Sequence, residues 1–169
     1  MGIKRYYATS DNTITNAFKE NLETRGTGSN MGASDILEAF VIHGQTSASI
    51  NATNAEQSRI LIQFDVNKIL SDINNNVIPS SSVDYVLRLF NAEHAQTTPL
   101  SYSLDVSMIK EYGWNEGTGL DMDNYTDLGE SNWINATPSQ TWDLAGGDYY
   151  GVKSNLSSIH SASYFFTGG

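Results

Sequence analysis

The chain has no cysteine among its 169 residues and no long apolar run. The absence of cysteine excludes a disulfide scaffold, a cysteine-ligated zinc site and thiol chemistry. No window approaches the roughly 20 apolar residues that a membrane-spanning helix needs, so we expect no membrane insertion. A chain of this length can bury enough apolar surface to fold without disulfides or a structural metal, and we expect residues 1–169 to form a single domain.

Basic residues are also scarce. The sequence has nine Lys and Arg against 19 Asp and Glu, which gives a net charge of -10. Because nonspecific affinity for nucleic acid comes from clustered Lys and Arg, the composition predicts no nucleic-acid partner. The N-terminus, Met1–Ala8, carries two basic residues with no apolar run behind them, so it is not a secretory signal. We therefore expect a protein that is made in a cytoplasm.

Strand-like alternation is the clearest pattern that is present. It occurs in three segments, Ser58–Val66, Val83–Asn91 and Ser101–Ile109. In the first segment, the period of two predicts that one set of side chains faces the core: Ile60, Ile62, Phe64 and Val66. The opposite set is predicted to face outward: Arg59, Gln63 and Asp65. The pattern predicts an all-β, antiparallel protein.

Shorter patterns predict the remaining elements. Thr9–Thr15 is a candidate strand with Ile14 facing inward, and Asp35–His43 is a second candidate strand. Apolar residues at helical spacing predict one or two short helices, in Ala17–Glu23 and in Asn67–Asn76. The last residues, from Ala162, are typical of the start of a strand. Residues 112–150 are mostly loop, and a loop of this length inside a domain is usually functional or ordered by its own aromatic residues.

Five short motifs occur in order along the chain. They are Asp11–Ile14, Ser29–Gly32, Arg59–Val66, Trp114–Glu116 and Asn132–Asn135, with Trp142 following. In this order and spacing they resemble the DNRLRE family of jelly-roll modules, which occur in bacterial surface and secreted proteins and are related to carbohydrate-binding modules. The resemblance implies an antiparallel jelly-roll β-sandwich over residues 1–169, with one or two short helices.

The chain resembles still more closely a variant of this domain from virion structural proteins of tailed marine and cyanobacterial phages. The shared residues are the loop Ser29–Ser34, Gly119–Met122 and Ser131–Asn135. This likeness implies a non-enzymatic virion protein, assembled in the host cytoplasm, whose partners are other virion proteins and further copies of itself. The family domain continues past the position of Gly169. The resemblance therefore implies either the N-terminal portion of a longer protein or a sheet that a neighbouring subunit completes.

A second functional class is glycan binding, because carbohydrate-binding modules stack sugars on aromatic rings. We expect an exposed aromatic surface formed by Trp142, Tyr149 and Tyr150, beside two glycines. The alternative for a tryptophan is a buried anchor whose indole N–H has a hydrogen-bond partner. We favour that alternative for Trp114 and Trp133, and it also stays open for Trp142.

A calcium site is the one cofactor that the sequence leaves open. Nine acidic residues lie between Asp105 and Asp148 against one basic residue. Among them, Asp121, Asp123 and Asp127 offer the hard oxygen ligands that calcium prefers. They do not form an EF-hand, because Tyr125 stands where its loop requires Asp or Asn, Thr126 where it requires Gly, and Asn132 where it requires Glu. The alternative is a solvated acidic loop.

Catalytic residues are not predicted. The three histidines, His43, His94 and His160, are far apart and lack the spacing of a metal triad. Glu111 and Glu116 have the chemistry of a glycosidase pair, but nothing in the sequence sets their separation. We therefore expect a binding or structural protein rather than an enzyme.

Overall fold

The computed structural model describes residues 2–42, 55–93, 99–110, 113–120, 129–150 and 161–167. These residues form an all-β protein with one short helix, as predicted. The elements in chain order are β1 (Ala8–Thr15), β2 (Val41–Ile42), β3 (Glu56–Phe64), α1 (Val66–Asn74), β4 (Ser101–Ser107), β5 (Asn135–Thr137), β6 (Gln140–Thr141) and β7 (Ser161–Thr167).

The largest described sheet is antiparallel and has the strand order β1-β3-β2. β1 pairs with β3 along its length, from Ser10 opposite Gln63 to Thr15 opposite Ser58. β2 adds only two residues to the other edge of β3. The predicted strands Thr9–Thr15 and Ser58–Val66 are thus confirmed, whereas the strand predicted over Asp35–His43 is shortened to its apolar end.

The two faces of β3 differ from the prediction. Its most buried apolar side chain is Leu61, whereas Ile60 and Ile62 on the other face are half-buried. Val66 belongs to α1 and is 60% exposed. The predicted inward set is therefore wrong. Three consecutive apolar residues at 60–62 put apolar side chains on both faces, so alternation alone does not identify the face that packs on the core.

The core joins this sheet to the loops that follow β4. Its buried members are Ile14, Leu61, Trp114, Trp133, Ala136 and Trp142, with Ile109 packed against them. Ile14 faces inward as predicted and is completely buried. β5 and β6 form a small hairpin that brings Ala136 and Trp142 into this cluster. The expectation that Trp114 and Trp133 are buried anchors is confirmed.

Helix α1 confirms the helix predicted over Asn67–Asn76. Asp65 caps its N-terminus, because the side chain of Asp65 accepts a hydrogen bond from the backbone N–H of Lys68 at 3.1 Å. The helix predicted over Ala17–Glu23 does not form. A turn stands there instead, closed by a hydrogen bond of 2.7 Å from the N–H of Lys19 to the carbonyl of Thr24.

β4 and β7 form a separate antiparallel ribbon, from Ser101 opposite Thr167 to Ser107 opposite Ser161. This confirms most of the predicted strand Ser101–Ile109 and the strand expected after Ala162. Every second residue points to one face, and on one face all six are apolar: Tyr102, Leu104, Val106, Ala162, Tyr164 and Phe166. The rings of Tyr102 and Phe166 stack at 4.7 Å. No other strand of the described residues pairs with this ribbon.

The predicted strand Val83–Asn91 does not pair with any other described segment. No described residue forms a backbone hydrogen bond with residues 83–93, and most of their side chains are exposed. The exposed apolar side chains are Tyr85, Val86, Leu87, Leu89 and Phe90. Alternation predicts a tendency to form a strand, but a strand also requires a partner for its backbone groups, and this segment has none within the described residues.

Candidate functional site

The candidate site is built around Arg59 in β3. Its guanidinium carbon lies 4.9 Å from the ring centre of Trp133 and 5.1 Å from that of Tyr149. One guanidinium N–H donates a hydrogen bond of 2.6 Å to the carbonyl oxygen of Gly146. We call Arg59, Trp133, Gly146 and Tyr149 the Arg59 site. A planar cation between two aromatic faces combines cation–π attraction with stacking.

The electrostatics of the Arg59 site favour a ligand that accepts hydrogen bonds. Burial lowers the pKa of Arg59, and the Tyr149 hydroxyl opposes this shift. Arg59 nevertheless stays charged, because an arginine in a protein is not deprotonated near neutral pH. A guanidinium has five N–H donors in a fixed plane, and within the described residues only one carbonyl accepts from it. The site can therefore bind hydroxyl or carboxylate oxygens beside an aromatic ring.

A tight turn positions the aromatic residues of the site. Gly146 and Gly147 have φ values of +91° and +95°, which favour glycine. A Cβ at Gly146 would also lie 2.7 Å from Arg59 and 2.8 Å from Trp133. The buried carboxylate of Asp148 closes the turn by accepting hydrogen bonds of 2.7 Å from the backbone N–H groups of Asp143 and Leu144. The turn thus places the ring of Tyr149 beside the guanidinium of Arg59.

Backbone contacts with the segment after β4 hold the two predicted tyrosines. Tyr149 forms an antiparallel bridge with Ile109, and the N–H of Tyr150 donates to the carbonyl of Met108 at 2.9 Å. Both side chains are half-buried. The ammonium group of Lys110 lies 5.9 Å from the ring centre of Tyr150. Each of the two half-buried tyrosines thus has a basic residue near its ring, Arg59 for Tyr149 and Lys110 for Tyr150.

Trp142 does not belong to this surface. It is 5% exposed, and its indole N–H donates a hydrogen bond of 2.8 Å to the carbonyl of Asn132. Its ring is part of the core, so its face is not available to a sugar. The buried anchor is the correct interpretation of Trp142, because a large apolar ring gains more from the core once its N–H has a partner. The candidate calcium ligands Asp121, Asp123 and Asp127 lie outside the described residues.

A second group of polar residues is wholly buried. The side-chain amide of Asn12 donates to the carbonyl and the hydroxyl of Ser131 at 3.0 and 2.7 Å. The amide oxygen of Asn12 accepts from the N–H of Met31 at 2.8 Å. The amide oxygen of Asn30 accepts from the N–H of Gly119 at 2.9 Å. We call this group, Asn12, Asn30, Gly119 and Ser131 with the backbone of Met31, the asparagine junction.

Glycines make the close approach at the asparagine junction possible. Gly117 has a φ of +88°, and a Cβ on it would lie 2.5 Å from the amide oxygen of Asn30. A Cβ at Gly119 would overlap the carbonyl oxygen of Asn30, and one at Gly32 would overlap that of Glu116. Beside these glycines, two buried polar atoms have no hydrogen-bond partner among the described residues, the amide nitrogen of Asn30 and the hydroxyl oxygen of Ser29.

Glu116 ties β1 to the loop that contains the junction. One of its carboxylate oxygens accepts a hydrogen bond of 2.8 Å from the backbone N–H of Asp11. Burial, and secondarily the charge of Glu116, raise the pKa of the Asp11 side chain. Glu111, the other carboxylate of the hypothetical glycosidase pair, lies outside the described residues. The contact gives Glu116 a structural role in this part of the chain.

The N-terminal segment forms a third polar group against α1. The hydroxyl of Tyr6 donates to Asp72 at 2.7 Å, and Lys4 forms an ion pair with Asp72 at 3.3 Å. Desolvation and the hydrogen bond to Asp72 raise the pKa of Tyr6 to about 12. An open cavity of about 250 Å³ lies beside this group and is lined by Arg5, Tyr6, Tyr7, Ala8, Thr9, Asp65 and Lys68.

The described parts of the chain contain no metal-binding cluster and no membrane-spanning helix. No three histidine, cysteine or acidic side chains in these parts are close enough together to hold a metal ion. All three histidines lie outside them. Within the same ranges, no helix has the length and hydropathy that crossing a membrane requires.

The Arg59 site and the asparagine junction differ in what they can do. The first presents a guanidinium beside the half-buried ring of Tyr149, whereas the second is enclosed and its polar groups mostly bond one another. The first can bind a ligand, and the second stabilises the fold. Comparisons of the chain with protein-family models, with curated proteins and with solved structures find no match.

Proposed function

We propose that this chain is a non-enzymatic structural protein of a tailed-phage virion, in which a jelly-roll β-sandwich docks on other virion proteins. The observation that carries the proposal is that the phage-like motifs meet at the asparagine junction. Ser29–Gly32, Gly119 and Ser131–Trp133 are far apart in sequence, and buried hydrogen bonds connect them. Motifs that serve the fold are expected to contact one another, so the contacts support the resemblance.

The jelly-roll assignment is part of this proposal. We assign the β1-β3-β2 sheet to one layer of the proposed sandwich and the β4–β7 ribbon to the other. The apolar face of the ribbon has the composition of an inner sandwich face. Its three pairs of facing residues are Tyr102–Phe166, Leu104–Tyr164 and Val106–Ala162. Val83–Asn91 has the alternation of a further strand. The apolar side chains of the ribbon are contiguous rather than scattered, and an assembly would cover them.

The deciding experiment is quantitative peptide mass spectrometry of phage particles purified by density gradient. We expect this chain at a fixed ratio to the major capsid protein through successive gradient fractions. Abundant host cytoplasmic proteins are the control, because their ratio to the capsid protein should fall with each purification step. The ratio would also separate a capsid decoration, present in many copies, from a neck or tail protein. Loss of the chain in parallel with the host proteins would refute a virion role.

The Arg59 site supports a second candidate function, binding of cell-surface glycans. Tyr149 offers a half-exposed ring next to guanidinium donors, and Tyr150 lies beside Lys110. A sugar can stack its apolar face on a tyrosine ring while its hydroxyl groups accept hydrogen bonds from arginine. This function is compatible with a virion role, since a virion protein can attach to a host surface.

Glycan-array binding tests the second candidate. We expect Tyr149→Ala and Tyr150→Ala to lose the binding that the wild type shows, with Tyr7→Ala as the matched control at a tyrosine that is 80% exposed elsewhere. Equal binding by all three variants would exclude the stacking site. The same array with calcium and with a chelator tests the candidate ligands Asp121, Asp123 and Asp127. Binding lost on chelation and in Asp123→Asn would assign calcium to that loop.

A further inference from the structure

Residues 83–93 and the outer edge of β4 have no hydrogen-bonded neighbour among the described residues, and their patterns match. Residues 83–93 form no backbone hydrogen bond with any described residue, although their sequence alternates like a strand. β4 pairs with β7 on one side only, and no described residue bonds to its other edge. An edge strand with free N–H and C=O groups is a template for a further strand. The two segments therefore present the two halves of one strand pair.

One antiparallel register places the leucines of the segment on the apolar face of the β4–β7 ribbon. If Arg88 stands opposite Asp105, then Leu87 stands opposite Val106 and Leu89 opposite Leu104. These apolar pairs extend the apolar face of the β4–β7 ribbon. Arg88 and Phe90 point to the other side together, since the Arg88 guanidinium lies 5.1 Å from the ring centre of Phe90. A register shifted by one residue would turn Leu87 and Leu89 away from the apolar face and place Arg88 on it.

Charge supports the same register. Apart from Asp105, the β4–β7 ribbon has no charged residue, and Asp105 lies on its polar face. Arg88 is the only basic residue in the segment 83–93. The register that aligns the apolar faces thus also pairs the one cation of the segment with the one anion of the ribbon. Opposite charges at facing positions stabilise a strand pair, whereas like charges destabilise it.

We propose that Val83–Phe90 pairs with β4 of a second copy of this chain, and that the second copy returns the same contact. The segment does not pair with its own β4 in the structure, so its partner edge comes from another molecule. Each copy carries both the segment and the edge, which is the requirement for a closed twofold dimer. This inference does not depend on the virion role, because it concerns a contact between two copies of the same chain.

Charge exchange between two variants tests the pairing between copies. We expect the wild type to be a dimer at micromolar concentration in sedimentation velocity. Arg88→Glu and Asp105→Arg should each raise the dissociation constant roughly tenfold, because each places like charges opposite each other twice per dimer. An equimolar mixture of the two variants should recover wild-type affinity, since the introduced glutamate then faces the introduced arginine and the remaining Arg88 faces the remaining Asp105. No recovery in the mixture would refute the pairing between copies.

A matched pair of leucine variants tests the position of the interface. Leu87→Lys should give a folded monomer, whereas Leu70→Lys, at a leucine of α1 that is 50% exposed, should remain a dimer. Far-UV circular dichroism checks that both variants keep their fold. Hydrogen exchange then locates the pairing, because protection of residues 83–90 should vanish when the dimer is diluted. Protection that persists in the monomer would mean that the segment pairs within its own chain, and the proposal would be wrong.

Discussion

At the scale of single residues, buried amides connect distant parts of this chain. The side chain of Asn12 joins β1 to Ser131, and that of Asn30 joins the following loop to Gly119. An amide can accept and donate without the desolvation cost of a buried charge. The close approach of Gly117 and Gly119 to Asn30 leaves no room for a Cβ at either position, so the Asn30 amide fits only this backbone arrangement. The asparagine junction therefore specifies the fold as well as stabilising it.

Replacing Asn30 tests this role. Asn30→Ala leaves the N–H of Gly119 buried without an acceptor, and we expect the free energy of unfolding in urea to fall by about 1–3 kcal/mol. Asn21→Ala is the matched control, because the Asn21 amide oxygen accepts backbone hydrogen bonds from Glu23 and Thr24 in an exposed loop. Its cost should be smaller, since water replaces the lost acceptor. Equal costs for the two variants would contradict a stabilising role for burial at Asn30.

The raised pKa of Asp11 predicts a pH dependence of stability. Burial and the charge of Glu116 raise this pKa in the folded state. A raised carboxyl pKa stabilises the fold fully below the unfolded pKa, and this stabilisation is lost as the pH rises through the folded pKa. Asp11→Asn should therefore increase the free energy of unfolding at neutral pH.

The advantage of Asp11→Asn should disappear at about pH 3, where the aspartic acid is protonated in both states. Urea unfolding at the two pH values measures the difference, with Asp35→Asn at an exposed position as the control. A larger advantage at acid pH than at neutral pH would show that the sign is wrong.

At the scale of elements, β3 is the strand on which the sheet and the core both depend. It lies between β1 and β2, it places Leu61 in the core, and it carries Arg59 to the candidate site. Leu61→Ala should lower the free energy of unfolding by about 2–5 kcal/mol, because it removes a buried side chain and leaves a cavity. Leu70→Ala on the exposed side of α1 should change it by less than about 0.5 kcal/mol.

Chemical denaturation of Leu61→Ala beside Ile60→Ala and Ile62→Ala decides between the faces of β3. If Ile60→Ala or Ile62→Ala proved more costly than Leu61→Ala, the face predicted from alternation would be the principal one after all. That comparison matters for function, because Arg59 and Leu61 share a face. The same packing that buries Leu61 presents Arg59 to Trp133 and Tyr149.

Local patterns predicted some elements well and failed at others for a definite reason. Helix α1 has apolar residues at helical spacing and its own cap at Asp65, so the residues that determine this helix all lie within its own segment. The strand pattern of Val83–Asn91 is equally clear, yet no partner in the described residues pairs with it. Pairing depends on a second segment, and no property of one segment states where its partner is. The same limit explains why the face of β3 was assigned wrongly.

Only part of the candidate site could be predicted, because its contacts join segments that are distant in sequence. Tyr149 and Tyr150 were identified from their position beside two glycines, and the structure places a basic residue near each ring. Arg59 was missed, because outward-facing arginines are common in strands and its aromatic neighbours come from elsewhere in the chain. The sequence signal that could have found it is a single basic residue directly before the apolar run Ile60–Ile62. Trp142 was proposed for the surface, although its partner Asn132 places it in the core.

At the scale of the whole molecule, negative charge and exposed apolar surface act against each other. The net charge of -10 keeps copies apart, whereas the exposed side chains around Leu87 and Tyr164 favour association. Raising the ionic strength from about 0.05 to about 0.5 M shortens the Debye length from about 14 to about 4 Å. We therefore expect the second virial coefficient from static light scattering to become more negative with added salt. An increase with salt would mean that attraction between charges dominates.

The separation along the chain between Asn12 and Ser131 has a consequence for synthesis. The two residues are 119 positions apart, and their side chains are buried against each other. At about 5–20 residues per second, the ribosome completes Asn12 roughly 6–24 s before Ser131 exists. During that interval the side-chain N–H groups of Asn12 lack their partner Ser131. The strand that pairs with β1, β3, is synthesised much earlier than Ser131. We therefore expect β1 to pair with β3 in the growing chain before the loop that contains Ser131 packs on it.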